Sequence, residues 1–118
     1  MDPAKLSEYV AGYDRRRAAR LAERRARADA ARALAPALAD LCREYGARRV
    51  RLFGSLVSGR YGGTPDIDLA VDDLPAERFF DLLAALQIRA APIEVDLVDM
   101  ATVSPELRRS IEREGQPL

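Results

Sequence analysis

The chain is poor in the residues that build zinc sites and disulfide frameworks. Its 118 residues include no histidine and a single cysteine, Cys42. One cysteine cannot form an internal disulfide, and without histidine it cannot complete a zinc site. Cys42 lies at helical spacing from Leu38, Leu41 and Tyr45, so we expect its side chain to be packed in a core.

Long apolar runs are also missing. No window approaches the roughly 20 apolar residues of a membrane span. The charged start, MDPAK, lacks the pattern of a secretory signal. We therefore expect a cytoplasmic protein without a membrane partner. A length of 118 residues suits one domain with a modest core.

The charges cancel overall but are unevenly placed. Residues 1–60 hold 14 Lys and Arg against 7 Asp and Glu, whereas residues 61–118 hold 5 against 12. The first half therefore has a net charge of +7 and the second a net charge of −7. Bound cations could neutralise part of the acidic half. The basic half could face a nucleotide or an acidic partner.

The most informative segment is residues 54–68, GSLVSGRYGGTPDID. Residues 50–53 alternate as a strand does and run into Gly54, where the missing β-carbon allows a sharp turn and a close approach to a ligand. Residues 67–71 predict a second short strand. Side chains alternate along a strand, so Asp66 and Asp68 should point to the same face.

Two carboxylates beside a Gly-Ser turn suit Mg²⁺ and the phosphates that it carries, because Mg²⁺ is usually held by one or two protein carboxylates plus phosphate oxygens. The turn offers free backbone N–H groups to the anionic end of a nucleotide. A helix that begins shortly after Ser55 would add the positive end of its dipole. The sequence thus predicts a metal and phosphate site here.

A third acidic strand completes the candidate site. Residues 92–99, PIEVDLVD, alternate apolar and acidic side chains, which puts Glu94 and Asp96 on one face. If this strand lies beside the one with Asp68, Asp96 can reach the same cluster. Three converging carboxylates repel one another, so metal binding is a natural reason to gather them. Asp99 has the opposite parity and is interpreted as a strand-end acid.

The remaining segments predict helices. Residues 5–45 are rich in Ala, Arg, Leu and Glu, with Pro36 a possible start of a second helix and Gly46 a stop. Residues 14–33 contain only one large apolar side chain, Leu21. This stretch should project into solvent or lay its alanines against something outside the domain.

Two further helices are expected at residues 75–86 and after Ser104, the second ending at Gly115. The order of elements predicts an α+β domain with a small mixed sheet flanked by helices. We divide it into a long N-terminal helical extension, residues 1–45, and a core, residues 46–118, within a single domain overall.

An arginine-rich stretch raises the question of nucleic-acid binding. Its seven arginines are Arg15, Arg16, Arg17, Arg20, Arg24, Arg25 and Arg27. No aromatic residue is interleaved for base stacking, so a solvated, partner-facing helix is favoured over direct nucleic-acid binding. Arg60 and Tyr61, next to the Gly-Ser turn, could contact nucleotide or be plain loop residues.

The pattern GSx10DxD, preceded by Leu-Phe and followed by a VDLVD strand, resembles the nucleotidyltransferase fold of the DNA polymerase beta superfamily. It is most similar to the minimal nucleotidyltransferases (MNT), the antitoxins of HEPN/MNT toxin–antitoxin systems. The resemblance covers about residues 49–98. It departs from the family at Leu56 and Ser58, where relatives often carry arginine, and at Pro65, where they often carry serine.

This resemblance implies roles for individual residues. The implied phosphate-binding turn consists of Gly54 and Ser55 and is closed by Gly59. The implied metal ligands are Asp66, Asp68 and Asp96, of which Asp96 is also the candidate general base. Two Mg²⁺ ions and ATP are implied as cofactor and substrate.

The implied reaction transfers AMP from ATP to a tyrosine hydroxyl of a HEPN-domain ribonuclease toxin, with which the chain would form a hetero-oligomer. Almost no chain remains for an acceptor-binding domain, so the acceptor surface should come from the partner. Two alternatives remain open. The chain could be a catalytically silent antitoxin that acts by binding and occlusion, or an oligomeric adenylyltransferase for small molecules such as antibiotics.

Overall fold

The computed structural model describes residues 2–60 and 65–118. The elements in chain order are helix α1 (Pro3–Glu44), strand β1 (Arg49–Phe53), helix α2 (Ser55–Ser58), strand β2 (Ile67–Asp72), a 3-10 turn (Ala76–Arg78), helix α3 (Phe79–Ala90), strand β3 (Val95–Asp99), helix α4 (Pro105–Glu114) and strand β4 (Gln116–Pro117). This is the α+β arrangement predicted from the sequence, with the long N-terminal helix.

Helix α1 is one continuous helix of 42 residues. The Asp2 side chain caps it by accepting a hydrogen bond from the backbone N–H of Ala4. The prediction that Pro36 starts a second helix is wrong, because Pro36 lies inside α1. Proline in a helix interior costs about 3 kcal/mol. Pro36 is on the exposed side, and burial of neighbours such as Ala35 and Leu38 offsets that cost.

The first part of α1 projects from the molecule, whose extents are 66 × 29 × 19 Å. We call residues 3–27 the arm. All of its residues are exposed except Gly12. The expectation that residues 14–33 pack on nothing within the domain is wrong for their last part, because Ala28 and Ala31 are buried in the core. Small alanine side chains allow α1 to lie close to the elements beneath it.

The four strands form one sheet in the order β3-β2-β1-β4. Strands β2 and β3 are parallel, whereas β1 is antiparallel to both β2 and β4. The sheet is therefore mixed, as predicted. The parallel pair is joined through α3, as expected for a crossover connection.

Helices cover both faces of the sheet. On one face, α1 and α3 bury the main core, whose largest fully buried side chains include Leu38, Ile67, Leu69, Leu82 and Leu86. On the other face, a smaller cluster of Ala70, Met100 and Ile111 packs with Phe53, Val98, Val103 and Leu107. Cys42 is fully buried as predicted, and burial raises the pKa of its thiol to about 11.

Several boundaries differ from those predicted. The helix expected at residues 75–86 begins as the 3-10 turn and continues as α3 to Ala90. The strand expected at residues 92–99 begins only at Val95. Helix α4 is capped as predicted, with Ser104 Oγ accepting from Leu107 N at 3.2 Å. Strand β4 has two residues, too few for any alternation, and was not predicted.

None of the helices in the described ranges has the combined length and apolarity needed to cross a membrane.

Candidate active site

The Gly-Ser turn connects β1 to α2 and lies directly against Asp68. Gly54 has φ 75° and ψ −147°, a conformation that residues with a side chain rarely adopt. A β-carbon at position 54 would overlap the Asp68 carboxylate. Glycine is therefore required both by the backbone conformation and by the contact with this acid.

Helix α2 is a single turn. Gly54 O accepts from Val57 N and Ser58 N at 3.1 and 3.0 Å, which leaves the first N–H groups of the helix without an intrahelical partner. Gly59 ends the turn in the left-handed region at φ 75°, and its N–H bonds Ser55 O at 2.8 Å. A helix is present where the sequence predicted one, but it is too short for a sizeable dipole.

The three predicted acids lie at the edge of the sheet beside this turn. Asp68 pairs laterally with Phe53 of β1 and with Asp96 of β3. Residues paired in this way project to the same face of a sheet. Asp66 directly precedes β2. The structure thus brings the carboxylates of two strands together next to Gly54, on the face opposite α1 and α3.

The pKa of Asp68 shows that these charges interact. It is raised to about 6, first by burial, then by the negative charges of Asp96 and Asp66, and last by a side-chain hydrogen bond with Asp96. Asp66 and Asp68 are half-buried, whereas Asp96 is exposed. Ionising Asp68 beside these two acids is therefore unfavourable without a cation.

The donor chemistry of this edge fits Mg²⁺. Carboxylate oxygens are the ligands that Mg²⁺ takes from proteins, and a cation would relieve the repulsion that raises the Asp68 pKa. Within residues 2–60 and 65–118, no group of three acidic or cysteine side chains is placed so that it could hold a metal ion by itself.

Other acids near β3 have different surroundings. Glu94 precedes the strand and is exposed. Asp99 ends the strand, and its Oδ1 accepts from Ala101 N at 2.9 Å, so the interpretation of Asp99 as a strand-end acid is confirmed. Arg60 is exposed, and its N–H bonds Ser58 Oγ at 3.2 Å. Tyr61 lies outside the described residues.

One hydrogen bond and one cavity beside the turn were not predicted. Arg32 of α1 donates from Nε to Leu56 O at 3.1 Å and so joins α2 to the long helix. A cavity of about 290 Å³ separates the turn from α4, and Leu107, Ser110 and Glu114 form its α4 side. The sequence gives no signal for either feature, since each involves residues that are far apart in the chain.

The departures at positions 56 and 58 have a structural meaning. Leu56 is buried in the main core and so does not face the acids. Ser58 is exposed, and its hydroxyl accepts the hydrogen bond from Arg60. A phosphate held here would therefore be bound mainly by backbone N–H groups of the turn.

Known proteins match most of this chain. The family model described as polymerase beta, nucleotidyltransferase matches residues 37–118. A solved structure described as a minimal nucleotidyltransferase is 33% identical, with a TM-score of 0.64 over 77% of this chain and 95% of that chain. No curated protein sequence matches.

Structures of toxin–antitoxin complexes are also similar. One, a toxin–antitoxin with AMP-PNP, is 29% identical with a TM-score of 0.55 and covers 66% of each chain. Another, the toxin–antitoxin MntA-HepT, is 26% identical with a TM-score of 0.50 over 66% of this chain and 62% of that chain. The arm lies outside the residues that the family model matches.

Proposed function

The chain belongs to the polymerase beta nucleotidyltransferase family, and from this premise we propose that it is an MNT-type antitoxin that transfers AMP from ATP to a tyrosine hydroxyl of a HEPN-domain ribonuclease toxin. The observation that carries the proposal is the convergence of Asp68, Asp96 and the Gly54 turn at one sheet edge. The similarity to toxin–antitoxin structures, one of them holding AMP-PNP, supports the nucleotide and the class of partner.

The turn would hold the phosphates of ATP. The free N–H groups at the start of α2 point out of the turn that Gly54 opens and Gly59 closes. Ser55 adds a hydroxyl next to them. Because Gly54 has no side chain, the phosphate chain could lie on one side of its backbone and the Asp68 carboxylate on the other.

The acids would hold Mg²⁺ and accept the proton of the acceptor. Asp66, Asp68 and Asp96 would coordinate two ions, which when bound neutralise the triphosphate and stabilise the attacking and leaving oxygens. The acceptor oxygen forms a bond to the α-phosphorus, the bond from that phosphorus to the bridging oxygen breaks, and pyrophosphate leaves. Asp96, exposed at the end of the cluster, takes the hydroxyl proton.

The acceptor would come from another molecule. Asp96 lies in the wall of an open groove of about 380 Å³, which also includes Gln87, Pro92, Ile93 and Glu94. This groove is open to solvent, and its described residues do not enclose a pocket for a small acceptor. A hydroxyl carried on a protein surface suits such an open edge, because the partner can supply the missing walls.

The arm offers a surface for that partner. The C-terminal end of α1 leads into β1, whereas Arg32 contacts Leu56 just beyond β1, so α1 runs antiparallel to β1. The arm therefore extends past the sheet edge that holds the acids, by roughly 37 Å at 1.5 Å per residue. A protein seated at the acids would lie beside it.

The arm's side chains suit a protein surface with an apolar groove and an acidic rim. Leu6, Tyr9, Val10 and Tyr13 lie on one face at spacings of i, i+3, i+4 and i+7, and each is between 47% and 64% exposed. Seven arginines follow them along the helix. We infer that the arm binds the toxin through both groups.

Labelled nucleotide tests the chemistry. The chain is mixed with the toxin, Mg²⁺ and ATP labelled at either the α- or the γ-phosphate. Label from the α-position alone should appear on the toxin. Label from the γ-position would instead indicate phosphoryl transfer, and an unlabelled but inhibited toxin would favour the occlusion alternative.

A further inference from the structure

A second cavity lies at the opposite end of β1 from the acids. Its volume is about 420 Å³. Four of its seven lining residues are arginines, and the full lining is Arg43, Arg48, Arg49, Val50, Arg51, Pro117 and Leu118. We call it the arginine cavity. Nothing in the proposed reaction uses it.

Two of the four arginines have partners. Arg43 Nη1 is 3.1 Å from Asp40 Oδ1, and its other terminal nitrogen donates to the backbone oxygen of Leu118. Arg51 Nη1 is 3.5 Å from Asp72 Oδ2. Both side chains are partly buried, the two atoms themselves are shielded from solvent, and neither makes a hydrogen bond to a described residue. The ion pair thus leaves a hydrogen-bond donor of Arg51 unsatisfied.

The other two arginines carry uncompensated charge. Arg48 and Arg49 are both exposed, and neither forms an ion pair with an acid in the described ranges. Asp40 and Asp72 pair with Arg43 and Arg51, which leaves Arg48 and Arg49 without an ion pair to a described acid. Like charges held this close repel each other, and an anion would relieve that repulsion.

Guanidinium groups select for phosphate among anions. Each is planar, stays charged at any ordinary pH and can donate two parallel hydrogen bonds to phosphate oxygens. Several guanidinium groups around one cavity can bind more than one phosphate group at once. The cavity's volume falls within the usual range for small-ligand sites.

The arrangement favours a small anion over a nucleic acid. The arginines of the arm end at Arg27, and only Arg32 lies between Arg27 and Arg43 along α1. Those 16 residues span roughly 24 Å of helix. No continuous track of arginines therefore joins the arm to the cavity, as a nucleic-acid backbone would need.

We propose that the arginine cavity binds a small anion with at least two phosphate groups, such as pyrophosphate or the phosphate chain of a nucleotide. The cavity lining on β1, Arg49 to Arg51, lies two to four residue steps, roughly 7 to 13 Å, from Phe53, which pairs with Asp68. The arginine cavity needs no Mg²⁺, whereas nucleotide held at the acids does, so metal removal separates the two sites. The inference does not depend on the proposed transfer reaction.

Calorimetric titration with pyrophosphate in EDTA tests the proposal on the full chain. Wild type should bind, and the double variant Arg48→Ala, Arg49→Ala should bind at least about tenfold more weakly, since charge-assisted hydrogen bonds are lost. The double variant Arg108→Ala, Arg109→Ala removes the same charge from exposed positions of α4 and should bind like wild type. Asp66→Asn, Asp68→Asn should also retain binding.

Two results would overturn it. One is no pyrophosphate binding by wild type in EDTA, whether or not a short RNA binds, and the other is equal losses in the two arginine variants. Arg48 and Arg49 are exposed, so the fold should survive, and a thermal melt checks this. The variant Arg48→Lys, Arg49→Lys keeps both charges but loses the paired N–H donors of the guanidinium group. Its affinity for pyrophosphate should lie between those of wild type and the alanine variant.

Discussion

At the scale of single residues, the proximity of Gly54 to Asp68 joins the proposed phosphate-binding turn to the proposed metal site. The backbone of the turn passes so close to the carboxylate that no side chain fits between them. A side chain at position 54 would therefore displace either the turn or the acid.

Two glycine substitutions distinguish the effect of backbone strain from the effect of the contact with Asp68. Gly54→Ala should destabilise the protein by about 1–3 kcal/mol and abolish binding of Mg²⁺ and ATP, because its β-carbon meets Asp68. Gly59→Ala adds a β-carbon at the same φ of 75°, but no atom of a described residue lies within 4 Å of it. It should cost about 1 kcal/mol and keep binding. Thermal melts and calorimetry measure both; equal loss of binding in the two variants would contradict the contact.

The raised pKa of Asp68 predicts a pH effect on stability. The pKa of its carboxyl is about 6 in the folded chain and 3.8 in the unfolded chain. As pH rises, the unfolded chain therefore releases this proton first. Without metal, the contribution of Asp68 to stability should fall between about pH 4 and pH 6 and stay low above that range. Asp68→Asn should therefore melt higher than wild type at pH 7, and the difference should vanish near pH 4.

Melts in EDTA from pH 4 to pH 7.5 measure this effect. Asp81→Asn is the matched control, since Asp81 is an exposed acid on α3 far from the cluster. Mg²⁺ should raise the melting temperature of wild type but not of Asp68→Asn. A variant that melts lower than wild type at pH 7 would show that Asp68 is held by contacts that outweigh the repulsion.

The sequence could predict where the candidate site residues lie, because strand alternation fixes which acids share a face, whereas their roles stay predictions. Asp66, Asp68 and Asp96 follow the alternation of two strands, and the turn needs glycine at position 54. The hydrogen bond from Arg32 to Leu56 could not be predicted. It joins residues 24 apart through the packing of two helices, and no local pattern records such a distance.

At the scale of elements, α1 has two different parts. From Ala28 onward it buries small side chains in the main core, whereas the arm before it is exposed and carries the tyrosines and arginines. The sequence predicted the helix and its exposed stretch. It could not place the boundary between them, because alanine is equally suited to an exposed helix and to a close helix–sheet contact.

Two truncations test this division. Removal of residues 1–26 should change the melting temperature little, since it takes away no core side chain, but should weaken binding to the toxin by about tenfold or more. Removal of residues 1–35 also deletes Ala28, Ala31 and Ala35 and should unfold the protein. Thermal melts and surface plasmon resonance measure the two effects. Unchanged toxin binding by the shorter truncation would exclude the arm from the interface.

The same physical reasons explain the other elements. Helix α4 was predicted because Ser104 and Pro105 form a standard helix start, and the cap is present. Strand β4 could not be predicted, since its two residues exist as a strand only through pairing with β1. The proline at position 36 suggested a break, but the tertiary packing of α1 overrides that local preference.

At the scale of the whole molecule, the two ends of the sheet differ in charge. The acids and the turn occupy one end, and the arginine cavity occupies the other. The arm extends beyond the acidic end. We propose that the acidic end binds Mg²⁺, ATP and the toxin, and that the cationic end binds a separate anion.

Two substitutions should slow AMP transfer to different degrees. Ser55→Ala removes one hydroxyl from the turn and should reduce the rate by about tenfold. Asp96→Asn removes a ligand and the group that accepts the proton, so it should reduce the rate by about a hundredfold or more. Initial rates with saturating toxin give both values. Asp96→Asn with the rate of wild type would remove Asp96 from the chemistry.

The intact mass of the toxin tests the proposed transfer most directly. After incubation with ATP, Mg²⁺ and this protein, the toxin should gain the mass of one or more AMP groups on a tyrosine, and the Asp66→Asn, Asp68→Asn form should leave its mass unchanged. The same double variant should fail to protect cells that express the toxin. A toxin neutralised at unchanged mass, with equal protection by the double variant, would contradict catalysis and show that the protein acts by occlusion.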